Sequence, residues 1–198
     1  MEKILRNISS ILISLLLTTT VSLPALAAWK LDNENSQLSF MSVKKGNIAE
    51  NHSFSKLAGN ITEQAQVNIS VDLSSVNTNI AIRDERMKEF VFKTDTYSTA
   101  NFTATLETSL LKSLILGEDK KLTISGVLDF NGEQQTIMLD VSVIKLSADK
   151  ILVNTIKPFF IQADAYGVVA GINKLKELAS LPSINYVVPV SFSVTFTR

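Results

Sequence analysis

Cysteine is absent from this 198-residue sequence, and histidine occurs only once, at His52. The lack of cysteine excludes disulfides, thiol nucleophiles, CxxC redox motifs and cysteine-ligated zinc sites. A single histidine could complete a serine triad, but the sequence has no G-x-S-x-G elbow, and we interpret His52 as a solvated histidine of a polar loop. The spacings of HExxH and EF-hand metal sites are also missing. We therefore predict no catalytic residue, no cofactor and no metal ion.

An excess of charge of either sign is missing too, since 19 Lys and Arg balance 19 Asp and Glu. This balance gives no electrostatic reason for binding to nucleic acid or to an anionic membrane surface. We expect no nucleic-acid partner, and we expect any ligand to be held mainly by apolar contacts.

The first residues have the pattern of an export signal. Two basic residues precede an apolar run over 8–23, which ends in an Ala-Leu-Ala-Ala motif. This arrangement is typical of a cleavable signal peptide, and we predict cleavage after Ala27. An uncleaved membrane anchor is the alternative, although serines and threonines interrupt the run. We expect residues 1–27 to be removed and residues 28–198 to form one exported domain.

Most of the remaining chain alternates between apolar and polar residues, which is the pattern of half-buried strands. The alternation is clearest over 67–73 and 188–196. Asn131-Gly132 has the composition of a type I′ turn and predicts an antiparallel hairpin. Many short strands without βαβ alternation predict an all-β antiparallel sandwich or closed barrel. Polar composition predicts loops at residues 33–36, 46–53 and 147–150.

Two short segments are predicted as helices. Asp84 is the predicted cap of the first, which carries Met87, Phe90 and Val91 on one face. Asn173 is the predicted cap of the second, which ends before Pro182. Each helix is too short to be stable alone, so we expect both to pack against the rim of a barrel or to close one of its ends.

The apolar face of the strands is the candidate site. In a small barrel, inward-facing side chains either fill the interior or line a cavity for one ligand. The alternation of residues is the same in both cases and leaves the two alternatives open.

The segment from Ser75 to Phe92 resembles the signature of the YceI-like polyisoprenoid-binding family, in which an SvxTnxxxRDxxLxxxxFF-like motif follows a strand. Together with the other similarities, the resemblance covers almost all of residues 29–198. These similarities follow in the order of the family: residues 29–32 with Ser36 and Phe40, residues 97–102, and residues 122–126 followed by 136–141.

The resemblance implies an all-β, lipocalin-like antiparallel barrel with two short helices, located in the bacterial periplasm. It implies an elongated apolar interior that holds an isoprenoid chain, carried by either an isoprenoid diphosphate or an isoprenoid quinone. The inward side chains then expected to bind the lipid are Phe40, Ile69, Val71, Phe102, Leu106, Ile124, Leu128, Leu139, Val141, Ile161, Phe192 and Val194.

Among the residues that match the family, Arg83 is the one expected to contact the head group of the ligand, because a guanidinium can pair with a diphosphate or donate to a quinone oxygen. The alternative, which we favour, is structural: Asp84, Glu85 or a carboxylate elsewhere on the rim pairs with Arg83. A late motif departs from the family. Its Arg-Ser-Asp-Phe-Gly-like pattern is replaced at residues 162–167 by Gln-Ala-Asp-Ala-Tyr-Gly, which lacks the arginine.

The sequence therefore leads to the hypothesis of a periplasmic carrier or store for an isoprenoid lipid and not of an enzyme. One alternative is a periplasmic enzyme acting on such a lipid, with His52 or a cross-strand carboxylate as its acid or base. Another is a structural or stress-protective barrel filled by side chains. We also consider two further partners, a second copy of the chain in a homodimer and a membrane protein that transiently supplies or receives the lipid.

Overall fold

The computed structural model of the protein describes residues 27–198. The predicted signal peptide lies outside the described residues except for Ala27, its predicted last residue, and it stays a prediction. In the part of the chain that is described, no helix combines the length and hydropathy needed to cross a membrane.

Eleven β-strands make up most of the described chain, and every pairing between them is antiparallel. The strands are β1 (Ala27–Lys44), β2 (Ile48–Phe54), β3 (Leu57–Thr62), β4 (Gln66–Asp72), β5 (Val76–Asn77), β6 (Thr99–Thr105), β7 (Asp119–Phe130), β8 (Glu133–Lys145), β9 (Lys150–Thr155), β10 (Phe159–Gln162) and β11 (Val187–Thr197).

Eight of these strands close into a barrel. In the order β1, β3, β4, β6, β7, β8, β9 and β11, each strand pairs with the next, and β11 pairs back with β1. Closure satisfies the backbone hydrogen-bonding groups that an open sheet would leave at its edges. The predicted all-β, lipocalin-like antiparallel barrel is confirmed.

The wall extends beyond this ring at one end because β1 and β11 are long. One edge of β1 pairs with β3 through residues 27–30 and with β2 through residues 38–44. In the same way, β11 pairs with β9 through residues 193–197 and with β10 through residues 187–190. The strands β2 and β10, with the short β5 beside β2, therefore form an extension of the wall outside the ring of eight.

The predicted hairpin is confirmed. Asn131 and Gly132 have φ angles of 55° and 81°, which a type I′ turn requires at both central positions. The turn places Phe130 directly opposite Glu133 and starts the long pairing of β7 with β8.

Two of the three predicted loops are wrong. Residues 33–36 form a bulge inside β1, where the carboxylate of Asp32 accepts hydrogen bonds from two backbone N–H groups. Most of residues 46–53 belong to β2, which begins at Ile48. Polar residues in this strand face both sides of the sheet, so its composition is similar to that of a loop. The third prediction is confirmed, since a bend joins β8 to β9 near residues 147–150.

The helices are α1 (Ala81–Arg86), which continues as a π-helix over Met87–Phe92, α2 (Thr108–Lys112) and α3 (Val169–Leu178). The two predicted helices, α1 and α3, are confirmed, but both begin earlier than predicted. Asp84 lies inside α1, and Asn173 lies inside α3. The Asp84 carboxylate accepts hydrogen bonds from the backbone N–H and the hydroxyl of Thr78. Since Thr78 precedes α1, these bonds hold the segment that leads into the helix. The five residues of α2 are too few to produce a helical periodicity.

The π-helical segment and α3 pack closely against each other. A Cβ atom added at Gly171 of α3 would lie 2.1 Å from the backbone oxygen of Phe90, so only glycine allows this approach. The contact brings the buried side chains of Met87, Val91 and Ile172 together.

Buried apolar residues form two clusters. The first lies inside the ring of eight strands and includes Trp29, whose ring is 4.6 Å from the guanidinium carbon of Arg198. The second lies between the extended wall, the π-helical segment and α3. Its buried members include Phe40, Leu73, Met87, Val91, Phe92, Val168, Ile172 and Val190.

Candidate ligand-binding cavity

The interior of the protein contains two adjoining cavities. The upper cavity, between the extended wall, α1, the π-helical segment and α3, has a volume of about 470 Å³. The lower cavity, inside the ring of eight strands, has a volume of about 130 Å³. The barrel is therefore not filled by side chains, as the filled-core alternative required. The side chains that line both cavities, and form the boundary between them, are Leu38, Val71, Ala100, Leu128 and Phe159.

The lower cavity is lined by aliphatic and aromatic side chains alone. Most of them come from alternate positions of the strands, which point to one face of a sheet, and four come from the connection between β6 and β7 that contains α2: Leu106, Leu110, Leu111 and Leu114. The structure brings most of the sequence-predicted ligand-binding residues together here. Those that line this cavity are Ile69, Val71, Phe102, Leu106, Ile124, Leu128, Leu139, Val141, Phe192 and Val194.

The upper cavity is lined by the remaining predicted residues, Phe40, Ile161 and Arg83. Sequence reasoning missed a group of apolar lining residues that come from helical segments. The sequence predicts that the two helices pack against the rim or close one end of the barrel, but it does not show that their apolar faces line the cavity. The missed side chains include Met87, Val91, Phe92, Val168, Ile172 and Leu175.

A row of aromatic rings runs along the upper cavity. Phe40 packs against Phe54, Phe54 against Phe92, and Phe92 against Phe130, with ring centroids 5.4, 5.6 and 6.0 Å apart. Such tilted pairs contribute roughly 0.5–1.5 kcal/mol each beyond the area they bury. The row ends at Tyr166, whose ring centroid is 5.5 Å from that of Phe130.

Polarity changes gradually along the pair of strands β1 and β2. The inward-facing pair Leu38 and Phe54 is apolar, and the next such pair consists of Phe40 and His52. The pair beyond it is polar, with Ser42 opposite Glu50. We call the region lined by Ser42, Lys44, Glu50, His52 and Arg83 the polar end of the upper cavity. A cavity with one apolar and one polar end suits an amphiphilic molecule.

Ion pairs connect the polar end to α1. Oε2 of Glu50 lies 2.8 Å from Nζ of Lys44 and 2.9 Å from Nη1 of Arg83. Nη2 of Arg83 donates to the backbone oxygen of Thr78 at 2.7 Å. The hydrogen bond from Lys44 and the charge of Arg83 lower the pKa of Glu50. Arg83 is thus held by a carboxylate from elsewhere on the rim and not by Asp84 or Glu85.

His52 is not a solvated loop residue as the sequence suggested. It lies in β2 with 4% of its surface exposed, and its Nε2 is 2.8 Å from Oγ of Ser42. Burial is the main cause that lowers the pKa of His52, and the positive charge of Arg83 adds to it. Alternation over Glu50, His52 and Phe54 was the signal that would have placed the imidazole inside.

The arrangement of Ser42 and His52 lacks the third member of a serine triad. Nδ1 of His52 has no hydrogen-bond partner among the described residues, so no carboxylate orients the ring from there. Residues 27–198 also contain no group of three His, Asp or Glu side chains placed to hold a metal ion.

The altered late motif has a structural role. Residues 164–166 form a turn of 3-10 helix, and Gly167 follows with a φ of 64°. The backbone oxygen of Tyr166 accepts a hydrogen bond from Nδ2 of Asn131, and that of Ala165 accepts one from Gln135. The segment therefore packs on the hairpin of β7 and β8, and Ala163 just before it lines the upper cavity.

Comparison with known proteins agrees with this architecture. The profile of the YceI-like domain matches residues 29–196. The chain is also similar to a solved polyisoprenoid binding domain from Saccharophagus degradans implicated in plant cell wall breakdown. That similarity has 37% identity and a TM-score of 0.85, and it covers 87% of this chain and 99% of that one.

Two more distant structures share the fold. BcnA from Burkholderia cenocepacia is 17% identical with a TM-score of 0.65, covering 83% of this chain and 98% of its own. A YCEI protein of Campylobacter jejuni is 15% identical with a TM-score of 0.53, covering 74% and 84%. No curated protein matched the chain. Because the domain profile spans nearly all of the described residues and a relative of known structure aligns over almost its full length, the protein belongs to the YceI-like family.

Proposed function

We propose that this protein binds a polyisoprenoid lipid, with the isoprenoid chain in the two cavities and the head group at the polar end. The observation that carries this proposal is the continuous set of apolar lining residues that leads from His52 past the shared boundary to the lower cavity. The upper cavity alone has a volume typical of small-molecule sites. The relative from Saccharophagus degradans, a polyisoprenoid binding domain, supports the choice of lipid.

Apolar burial supplies the binding energy in this proposal. Each CH₂ group removed from water contributes roughly 0.8 kcal/mol, so several isoprene units together outweigh the entropy lost on binding. No charged contact with the chain is needed, and none is offered by the lining of the lower cavity.

We further propose that the protein works in the periplasm as a carrier or store, and that its ligand is an isoprenoid diphosphate or an isoprenoid quinone. A carrier of this kind would exchange its lipid with a membrane protein, and a homodimer is a further arrangement to test. Measurement of the oligomeric state and of the cell compartment checks these parts separately.

The lipid itself is tested by organic extraction and mass spectrometry of protein purified from its own cells. We expect about one isoprenoid lipid per protein chain. A protein that carries no such lipid, and that binds none after being offered several, contradicts the proposal.

A blocking substitution tests where the chain lies. Leu128→Trp places a large ring at the boundary of the two cavities, whereas Val127→Trp adds the same ring at the neighbouring outward position, which is 36% exposed. We expect the first variant to lose long-chain lipids and to keep short ones, and the second to bind as the wild type does. Equal binding by both variants would place the lipid elsewhere.

The pair of Ser42 and His52 favours one second candidate, an enzyme that acts on an isoprenoid lipid, because a serine within 2.8 Å of an imidazole can be activated as a nucleophile. Turnover of an isoprenoid ester that disappears in both Ser42→Ala and His52→Ala would establish it. Lipid binding without turnover would contradict the enzyme and would leave the carrier or store as the proposed function.

A further inference from the structure

The upper cavity opens to the surface at its polar end. Most of its lining side chains are buried or half-buried, but four of them are exposed: Ile80, Ile82, Ala179 and Asn185. The first two stand at the start of α1, and the other two belong to the segment that follows α3. The cavity therefore has an opening between these two segments, which we call the mouth.

The turn between β1 and β2 forms a third side of the mouth. Lys44, next to this turn, is bridged to Ile184, and Glu50 of β2 is bound to Arg83 of α1. The polar end therefore lies directly inside the mouth. Ile48 stands opposite Lys44 in the hairpin, so it lies on the face that lines the cavity, and it is exposed.

Exposed isoleucines are thus concentrated around one opening. Ile48, Ile80 and Ile82 are 41%, 46% and 59% exposed, and they come from two different segments. A single exposed apolar side chain is ordinary on a protein surface, whereas several of them around the entrance of an apolar cavity indicate a contact with an apolar phase or partner. The mouth therefore has the composition of a docking surface.

The charge around the mouth is positive although the whole chain is neutral. Residues 44–50, 80–86 and 174–185 contain six Lys and Arg but four Asp and Glu. Three of these acidic side chains are bound in ion pairs, and Asp84 accepts hydrogen bonds from Thr78. The cations of these segments that form no ion pair within residues 27–198 are Lys45, Arg86 and Lys176. Such a surface complements negatively charged lipid head groups.

We propose that the mouth docks on the surface of a phospholipid bilayer that contains anionic lipids, with Ile48, Ile80 and Ile82 inserted among the head groups. This inference rests on the proposed function, because a bilayer is the phase in which an isoprenoid lipid is dissolved. Docking covers the opening, so the isoprenoid chain passes between the bilayer and the cavity without crossing water.

The arrangement of the isoleucines favours a bilayer over a protein partner. They stand on separate segments around an opening, and a bilayer accepts such side chains individually beside basic residues. A stable protein interface needs a continuous, closely packed core, which an opening interrupts.

Flotation of the protein with vesicles tests docking separately from lipid binding, because the vesicles contain no isoprenoid. The protein is purified from its own cells and freed of bound lipid. One set of vesicles consists of phosphatidylcholine, and the other contains equal parts of phosphatidylcholine and phosphatidylglycerol. We expect binding to the second set to be tighter by at least about fivefold, and high salt should remove this difference.

Substitutions at the mouth test which residues insert. Ile48→Gln and Ile82→Gln should each weaken binding to both sets of vesicles by roughly tenfold, because an isoleucine side chain is no longer buried in the bilayer. Ile115→Gln is the matched control, since Ile115 is 66% exposed but follows α2, beside the lower cavity. We expect this control to bind as the wild type does. All three positions are exposed, so the substitutions should leave the fold intact.

Lys45→Gln separates the charge from the apolar contact. Lys45 is an exposed residue of the β1–β2 turn and does not line the cavity. We expect this variant to bind vesicles with phosphatidylglycerol about fivefold more weakly, and to bind phosphatidylcholine vesicles as the wild type does.

Ile48→Gln also connects docking with lipid uptake. Because Ile48 does not line the cavity, the affinity for farnesol in the absence of vesicles should stay unchanged. Transfer of a fluorescent isoprenoid from vesicles to the protein should nevertheless slow by roughly tenfold, because the docked complex forms less often.

The outcomes separate this inference from the function on which it rests. Docking is contradicted if the wild type binds neither set of vesicles, which would favour a protein partner at the mouth. It is also contradicted if both mouth variants bind as the wild type does, or if Ile115→Gln alone loses binding. The lipid-binding function stands in these cases. Vesicle binding without any binding of farnesol or of a longer isoprenoid contradicts that function and leaves the docking surface.

Discussion

The lower cavity is lined only by apolar side chains, which come mainly from eight paired strands and from the connection that contains α2, whereas the lining of the upper cavity also includes a set of charged groups. The lower region excludes polar groups from every side, so it suits any long hydrocarbon. The upper region places Glu50, His52 and Arg83 at fixed distances and can distinguish one head group from another. In the proposed function, the lower region supplies affinity for the lipid chain and the upper region supplies selectivity for its head group.

The largest effect on stability is expected from the lower region. Ile151 is 1% exposed in the cluster inside the ring, and Ile151→Ala should lower the free energy of unfolding by about 2–5 kcal/mol. Met138→Ala, at a site that is 67% exposed, should change it by less than about 0.5 kcal/mol. Chemical denaturation measures both. Equal values for the two variants would mean that the ring does not hold the fold together.

A change at Gly171 should affect the upper region. A methyl group there meets the backbone oxygen of Phe90, so Gly171→Ala should cost about 1–3 kcal/mol of stability and weaken lipid binding through the displaced helices. Ala170→Ser, at the exposed neighbouring position of α3, is the control. Hydrogen exchange of the two helical segments shows whether the damage stays local, and unchanged exchange there contradicts the close packing.

Glu50→Gln tests whether the charged groups of the upper cavity act on the head group separately from the lipid chain. The substitution leaves Lys44 and Arg83 without their carboxylate, which should cost about 1–2 kcal/mol because the pair is partly exposed. The freed cations should increase the affinity for geranylgeranyl diphosphate and leave that for a hydrocarbon unchanged. Parallel titrations of the two probes check this, and a uniform loss of both affinities would show that the charges only support the fold.

The smallest effect is the dependence of stability on pH. Burial lowers the pKa of His52 in the folded protein, so the unfolded chain takes up its proton at higher pH. Stability is therefore complete above the ordinary histidine pKa of about 6.5 and falls as the pH drops below it, by at most about 1.4 kcal/mol per pH unit. Glu50 adds a further loss only at pH values near and below its ordinary pKa of 4.5.

Denaturation curves between pH 7 and pH 5 measure the histidine contribution. In His52→Leu the slope over this range should disappear. The charged groups that act on this titration are Arg83, Glu50, Asp84 and Lys44. A slope that persists in the variant would assign it to other groups.

The ring could be predicted because its residues follow one rule. The inward side chains on the strands, such as Ile69 and Val71, stand two positions apart, and the same period predicts the strand itself; the leucines of α2 that line the same cavity follow no such period. The upper region follows no single period. The ion pair of Glu50 with Arg83 joins residues far apart in the chain, and its partners could not be chosen by spacing. His52 was misplaced because an inward-facing polar residue makes a strand look like a loop.

The contact between β1 and β11 also has a consequence for synthesis and folding. Phe40 lies opposite Val190, so the first and last strands of the described chain close the barrel together. Because most of the described chain lies between these two strands, bringing them together loses much conformational entropy, and we expect this pairing to be among the slowest to form. We expect the chain to be an open sheet until β11 has been synthesised and has paired with β1. Its apolar face and two free edges can then bind other chains. During the same period, lipid can reach the apolar face that becomes the inside of the closed barrel.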